Sequence, residues 1–210
     1  MCFFRVFDRF LITRKDPMER RFSFQQYRAI DLSLFAVILA VTETLIIFAA
    51  VKWFPGQPYT VSVTSAITAI VLMRWGPYAI IHAVLGGFIF CFWSGGAPAP
   101  YLIYCLGNAF SLLSLLLIRF VGEKNIKSNA VYTLGFALCT VVFMQFGRAM
   151  VAFLLGTPME NCVGFFTTDV ISGLFAMVIC WIANRLDGIF ENQKSYLLRV
   201  HSEEEREANG

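Results

Sequence analysis

The residues with the clearest chemical potential in this chain lie inside an apolar stretch. The segment VVFMQFGRAMVAFLL, Val141–Leu155, is apolar for several helical turns, yet it contains Gln145 and Arg148. A charged side chain at the centre of a membrane helix costs about 2.5–3.5 kcal/mol on insertion scales. An arginine in this position therefore indicates either a ligand or a buried partner of opposite charge.

Two neighbouring apolar segments carry polar groups that would reach the same depth. Tyr101, Tyr104 and Asn108 are three and four residues apart, so they share one face of a helix. The segment after Arg148 begins with Thr168 and Asp169 in its first turns. Because these groups would lie in the same half of the membrane, we expect Arg148 and Asp169 to pair.

Such a cluster has the chemistry of a small-molecule pocket, which is mostly apolar and aromatic with few oriented polar groups. The planar guanidinium of Arg148 suits a carboxylate or phosphate, and Asp169 would hold it in place. The alternative is a structural ion pair that joins two helices and binds nothing. The predicted ligand-binding residues are Tyr101, Tyr104, Asn108, Gln145, Arg148, Phe165, Thr168, Asp169 and Trp53.

Other polar residues give weaker signals. Glu43 lies in the middle of the first apolar segment and His82 near the start of the third, where they would pair, form part of a proton path or make ordinary buried hydrogen bonds. Trp53 flanks the loop after the first segment, as an interfacial anchor or as part of a cover over the pocket.

The composition places these residues in a membrane protein. Of 210 residues, 58% are hydrophobic and only 15% are charged, whereas soluble domains have about 25% charged residues. Continuous apolar runs separated by polar or Gly/Pro breaks predict an all-α protein with six transmembrane helices. The predicted helices cover approximately residues 30–54, 61–73, 78–93, 101–121, 131–155 and 163–186. The second is too short to cross alone, so it must be irregular or shielded by its neighbours.

The distribution of positive charge predicts the orientation. The first 28 residues contain seven Arg or Lys, and with six spans nearly all remaining basic residues fall on the same side, Lys52 excepted. The positive-inside rule then places both termini in the cytoplasm. We therefore divide the chain into a basic N-terminal segment (1–29), a six-helix substrate-binding domain (30–190) and a polar cytoplasmic tail (191–210). Nucleic-acid binding is not needed to explain these charges.

Common catalytic motifs are missing. The chain has no Walker A sequence, no HExxH and no GxSxG. Its six cysteines form no CxxC pair and its two histidines are far apart, so we expect neither a metal site nor a disulfide framework. No catalytic residue and no cofactor are predicted.

Two motifs resemble those of a known family. The first helix contains LFAVILA, in which Ala36 and Ala40 are similar to that family's AxxxA motif, and AIVLMRWGPYAIIHAVLGGFIFCFWSGG looks like its second and third helices joined by a Gly-Pro turn. The family comprises the substrate-binding S components of energy-coupling-factor transporters of prokaryotic cell membranes. The resemblance extends from about residue 30 to about residue 190.

The resemblance implies a function. Such a subunit binds a vitamin or similar micronutrient near the outer face, associates with a membrane T component and two cytoplasmic ATPases, and topples to release the ligand inside. Ala36 and Ala40 would contact the T component, and the ATPases would hydrolyse the nucleotide. The ligand expected from the residues is flat and partly anionic.

Two other classes stay open. A membrane sensor or regulatory subunit would bind a ligand or partner without transport. A small membrane-embedded enzyme would use Glu43, His82 or Asp169 as acid or base, which requires that these groups meet around one cavity.

Overall fold

The computed structural model describes residues 23–54, 61–95 and 97–209, and it divides the chain into two compact units, residues 1–31 and 32–210. Most of the predicted basic N-terminal segment lies outside the described residues. In the first unit, the described residues form the beginning of helix α1, Phe24–Trp53. Ser23 and Gln26 exchange hydrogen bonds there, since the Ser23 N–H donates to Gln26 Oε1 and the Gln26 N–H donates to Ser23 Oγ. This reciprocal capping box fixes the point where the helix starts.

The described part of the chain is mostly helical and contains no strand. After α1, the helices are α2 (Thr64–Trp75), α3 (Ile80–Trp93), α4 (Pro98–Ala109), α5 (Ser114–Val121), α6 (Glu123–Ser128), α7 (Ala130–Leu154), α8 (Met159–Thr168), α9 (Val170–Asn184) and α10 (Gln193–Asn209). Short 3₁₀ turns join α2 to α3 and α4 to α5.

Five helical runs among the described residues are long and apolar enough to cross a membrane. They are Phe24–Trp53, Thr64–Trp93, Pro98–Val121, Ala130–Leu154 and Met159–Asn184. The sequence predicts six spans, and the difference arises because Thr64–Trp93, which contains α2 and α3, is counted here as one run. The chain is therefore an all-helical protein with the composition of a membrane protein.

The run Thr64–Trp93 folds back on itself. Gly76 has a φ of 57°, a left-handed conformation that ends α2 and that glycine adopts easily. A Cβ atom added to Gly86 of α3 would lie 2.2 Å from the Thr64 side chain of α2, so the two arms lie side by side. The RWGP sequence is thus a tight turn between two arms of 12 and 14 residues, as the sequence predicts for this break.

Helix α2 is enclosed by the rest of its unit. All twelve of its residues, Thr64–Trp75, are buried. By contrast, the buried residues of the 30-residue helix α1 are Leu39, Glu43 and Ile47, which follow one another at helical spacing on one face. The prediction that neighbours shield the short second helix is confirmed.

Two of the predicted helices are interrupted. The fourth is divided by a 3₁₀ turn, Phe110–Leu113, between α4 and α5. The sixth begins at Met159, earlier than predicted, and breaks at Asp169, which lies between α8 and α9. The residue at this break, Asp169, is buried. Its carboxylate therefore projects into the bundle from a point where the helix is interrupted.

The polar end of the bundle is tied together by charged side chains. Glu191 is paired with Lys127 and, at 2.8 Å, with Arg199, whose Nη2 also donates to Asp187 at 2.9 Å. Burial alone would lower the pKa of Arg199, but the hydrogen bond that it donates to Asp187 and the charge of Glu191 raise the pKa above its ordinary value. The predicted polar tail is therefore helical from Gln193 onward, and Arg199 of α10 is anchored to the segment that precedes it.

Candidate functional site

Arg148 is the centre of a buried polar network. Its Nε donates to Asn108 Oδ1 at 2.8 Å, and its Nη1 donates to Gln145 Oε1 at 3.2 Å. Nη1 also forms an ion pair with Asp169 Oδ2 at 2.6 Å. Arg148 is 7% exposed and Asp169 is 6% exposed, so the pair is largely shielded from the surroundings. The predicted pairing of Arg148 with Asp169 is present.

Asp169 is held from three sides. Oδ2 accepts hydrogen bonds from Arg148 and from Gln145 Nε2, and Oδ1 accepts one from Ser172 Oγ at 3.2 Å. The Ser172 hydroxyl in turn accepts the backbone N–H of Ser62 at 3.1 Å. The carboxylate thereby links α7 and α9 to the segment that leads into α2.

Closely packed glycines bring the network together. A Cβ atom on Gly107 would lie 2.6 Å from the Arg148 backbone, and one on Gly147 would lie 2.3 Å from the Gly107 carbonyl oxygen. Small residues let helix backbones approach in this way. Since Asn108 follows Gly107 and Arg148 follows Gly147, the same contact between α4 and α7 places the two side chains within hydrogen-bonding distance.

Aromatic rings enclose one side of the arginine. The guanidinium carbon of Arg148 lies 4.6 Å from the centre of the Tyr104 ring, which is a cation–π distance. Tyr104 also packs against Phe165 and Phe90, with ring centres 6.1 Å and 4.6 Å away. Five predicted site residues, together with Phe165 beside them, are thus in one place: Tyr104, Asn108, Gln145, Arg148 and Asp169.

The sequence does not assign Glu43 to this site, but the structure places it there. Glu43 is fully buried, and its Oε2 accepts the backbone N–H of Val63, the residue that caps α2, at 3.0 Å. Glu43 is ten residues from the end of α1 at Trp53, or about 15 Å along the helix axis. The start of α2 therefore lies deep beside α1 rather than level with its end. In the sequence, this role is indicated by the position of Glu43, an isolated acidic residue within an apolar run.

A small cavity lies between Glu43 and the arginine network. Its volume is about 10 Å³, close to the space that one water molecule needs. The residues that supply its polar surface are Glu43, Ser62, Thr64, Tyr104, Asn108, Arg148 and Asp169. Gly86 and Gly87 of α3 form part of the remaining wall. Two carboxylates, Glu43 and Asp169, and one guanidinium thus border the same cavity.

A larger cavity borders the other side of the network. It lies between α7 and α9, has a volume of about 150 Å³, and is lined mainly by aliphatic side chains and Phe166. Gln145 and Asp169 are its polar residues. Several of its lining side chains are largely exposed, such as Val170 at 54% and Leu174 at 56%, so this cavity opens to the surface of the bundle. Asp169 lines both cavities, so the ion pair separates a small polar space from a larger apolar one.

Three predicted site residues lie apart from the network. Tyr101 packs against Phe88, with ring centres 5.6 Å apart, and Thr168 donates to the Gly164 carbonyl of its own helix at 3.0 Å. Trp53, at the end of α1, is 68% exposed. None of the three lines either cavity described above.

Glu43 and His82 do not meet. His82 Nε2 lies 3.0 Å from the carbonyl oxygen of Leu32, whereas Glu43 contacts Val63 and the small cavity. The described residues contain no group of three His, Cys, Asp or Glu side chains placed to hold a metal ion. Glu43 and Asp169 thus share a cavity without the histidine.

Ala36 and Ala40 are half-buried. At about 100° per residue, Ala36 points to the same side of α1 as the buried Leu39, Glu43 and Ile47, with Ala40 at its edge. The most exposed surface of α1 lies elsewhere, at residues such as Val37 and Val41, which are 60% and 53% exposed. The two alanines therefore form a shallow strip of small residues along the border of the packed face.

No protein-family model matches the chain, and no significant match to it is found among curated proteins or solved structures.

Proposed function

We propose that this chain is the ligand-binding membrane subunit of a micronutrient importer in a prokaryotic cell membrane. The observation that carries the proposal is the buried network of Arg148, Asp169, Gln145 and Asn108 with a cavity on each side. A structural ion pair alone does not require the aromatic wall of Tyr104 or the adjacent spaces. Ligand sites in membrane bundles combine apolar walls with a few oriented polar groups in this way.

The chain supplies binding and not energy in this proposal. It would work with a membrane T component and two cytoplasmic ATPases, as the resemblance to S components implies, with both termini in the cytoplasm. A discontinuous helix whose broken point faces a substrate is common in transporters. Asp169, between α8 and α9, is such a point, and the start of α2 beside Glu43 is a second.

The test is recovery of partners and ligand together. The tagged full chain would be extracted from its native membranes in mild detergent, and mass spectrometry would identify the proteins and small molecules that remain bound. We expect a T-like membrane protein, two ATPases and a retained small molecule.

Two variants make the result specific. Arg148→Ala should lose the small molecule and keep the partner proteins, while the control Arg206→Ala, which alters an exposed arginine, should keep both. Recovery of a signalling protein in place of the ATPases would replace the importer with a membrane sensor. Retention of the small molecule by Arg148→Ala would leave Arg148 as a structural residue.

A further inference from the structure

Glu43 has unused hydrogen-bonding capacity in the small cavity. Oε2 accepts the Val63 N–H, but Oε1 has no hydrogen-bond partner among the described residues, although the side chain is fully buried. Thr64 Oγ1, which lines the same cavity beside the Glu43 carboxylate, makes no well-formed hydrogen bond in the described part of the chain. An unpaired buried acceptor is costly, so Oε1 marks a place for a donor that arrives from outside the chain.

The charges around the cavity are nearly balanced. Glu43 and Asp169 contribute two carboxylates, and Arg148 contributes one guanidinium. The N-terminus of α2 adds a partial positive charge beside Glu43, equivalent to about half an elementary charge. The sum is about half a negative charge, so an anionic group on the ligand would be repelled, whereas an uncharged polar group would not.

The two walls of the cavity offer opposite hydrogen-bonding roles. Glu43 accepts, and the guanidinium of Arg148 donates. We propose that the site recognises the edge of an uncharged nitrogen heterocycle in which an N–H and a C=O are adjacent, as in a cyclic amide, imide or ureide. The ligand N–H donates to Glu43 Oε1, and the ligand carbonyl accepts from Arg148. This inference rests on the proposed function and assigns its substrate class, in place of the anionic ligand expected from the sequence.

Entry of such a ring requires more space than the cavity provides. At about 10 Å³ it is far smaller than a heterocycle. The wall that can yield is α1, because its buried residues are only Leu39, Glu43 and Ile47, whereas every residue of α2 is buried. In this proposal a small outward shift of α1 makes the room, and the Glu43 side chain extends to keep its bond to the Val63 N–H while it accepts the ligand N–H.

The experiment uses three pairs of small probes on the purified full chain. Uracil, 2-imidazolidinone and 2-piperidone present an imide, a ureide and a lactam edge, and their fully N-methylated forms (dimethylated for the first two) lack any N–H donor. The ligand-dependent rise in unfolding temperature at millimolar probe concentration gives the affinity. We expect at least one parent probe to bind, and its N-methylated partner to bind at least about tenfold more weakly, the effect of one hydrogen bond to a charged group.

Glu43→Gln provides the matched variant. Glutamine keeps a carbonyl oxygen for the Val63 N–H and presents an NH₂ group to the cavity, where it opposes the ligand N–H. We expect the same loss of about tenfold in affinity, and no change in the control Glu160→Gln, an exposed glutamate at the start of α8.

Several results would overturn the assignment. They are the absence of binding by all three parent probes, equal binding of the N-methylated probes, or unchanged binding by Glu43→Gln. If the partner proteins and a retained small molecule are still recovered from native membranes, the importer function stands and only this substrate class fails. If neither is recovered, both proposals fail.

Discussion

At the scale of single residues, Arg148 has a structural role through its contacts and, in the proposed function, a second role in binding the ligand. The guanidinium is fully engaged on its Nε and Nη1 atoms by Asn108, Gln145 and Asp169. Those contacts stabilise the fold whether or not a ligand binds. Stability and ligand binding must therefore be measured on the same variants.

Asp169→Asn should destabilise the protein strongly. Removing one partner of a buried ion pair leaves an uncompensated charge, at a cost of about 3–5 kcal/mol. Asp187→Asn is the control, since Asp187 pairs with Arg199 but has a side chain that is 72% exposed, and exposed pairs contribute about 0–1 kcal/mol. Unfolding of the two variants in detergent provides the comparison, and equal losses would contradict the picture of a shielded pair.

Replacing both charges distinguishes the two roles of Arg148. A double variant, Arg148→Met with Asp169→Leu, removes the unpaired charge and should recover most of the stability lost in Asp169→Asn, because apolar replacements of buried pairs are often neutral. The same variant should not retain the small molecule. Retention by the double variant would show that the ion pair is dispensable for binding.

The residue-scale pattern was predictable in part. Polar side chains at similar depth in an apolar bundle pair with one another because they are costly to leave unpaired. For that reason the sequence predicts contacts among four residues: Arg148, Asp169, Asn108 and Gln145. It does not predict the partner of Glu43. Helix length and hydropathy say nothing about how deep α2 begins, and the contact with Val63 depends on that depth.

At the scale of the elements, glycines determine how closely α4 and α7 approach. Gly107 and Gly147 face each other across this interface, and each leaves no room for a Cβ atom. The sequence does not identify this pair, because a glycine in an apolar run has no partner that can be recognised until the helices are placed side by side.

Gly107→Ala should therefore be destabilising by about 1–3 kcal/mol, the usual cost of overpacking. The contacts it would violate are with the Arg148 backbone, which cannot rotate away. Gly135→Ala on α7 is the matched control, because a Cβ atom there meets nothing within 4 Å. That change should stabilise α7 by up to about 1 kcal/mol. Thermal unfolding should show a lower unfolding temperature for Gly107→Ala and a higher one for Gly135→Ala.

Helix α1 has two surfaces to which a partner could bind. If the strip of Ala36 and Ala40 is the contact with the T component, Ala36→Trp with Ala40→Trp should abolish recovery of the partner proteins. Val37→Trp with Val41→Trp, which alters the more exposed surface, should leave recovery unchanged. Size-exclusion chromatography would confirm that both double variants are folded, and the reverse pattern would move the interface to the exposed surface.

At the scale of the whole molecule, the hairpin at Gly76 decides the topology. If both arms, α2 and α3, cross the membrane, the chain has six crossings and its termini lie on the same side. If the arms enter and leave on one side, the hairpin adds no crossing, the other four runs give four crossings, and the termini still share a side. The arms are 12 and 14 residues long, shorter than the about 20 residues of an ordinary span.

We expect six crossings with both termini in the cytoplasm, because the basic residues then collect on one side. Protease would be added to sealed inside-out vesicles that contain the chain with a short tag at either end. Both tags should be cleaved in these vesicles and protected in right-side-out vesicles. Cleavage of only one tag in each preparation would establish an odd number of crossings.

The burial of α2 also has a consequence for biosynthesis. A segment of only 12 residues that carries Thr64, Ser65 and Thr68 is too short and too polar to be inserted stably into lipid by itself. Its hydroxyl groups and short length are tolerable only after other helices surround it. We therefore expect the α2–α3 hairpin to enter the membrane as one unit. Its burial is completed only when α7 and α9, which contact α2, have been synthesised. The short helix at the centre of the folded protein is thus the last part of the bundle to be enclosed, although it is among the first to leave the ribosome.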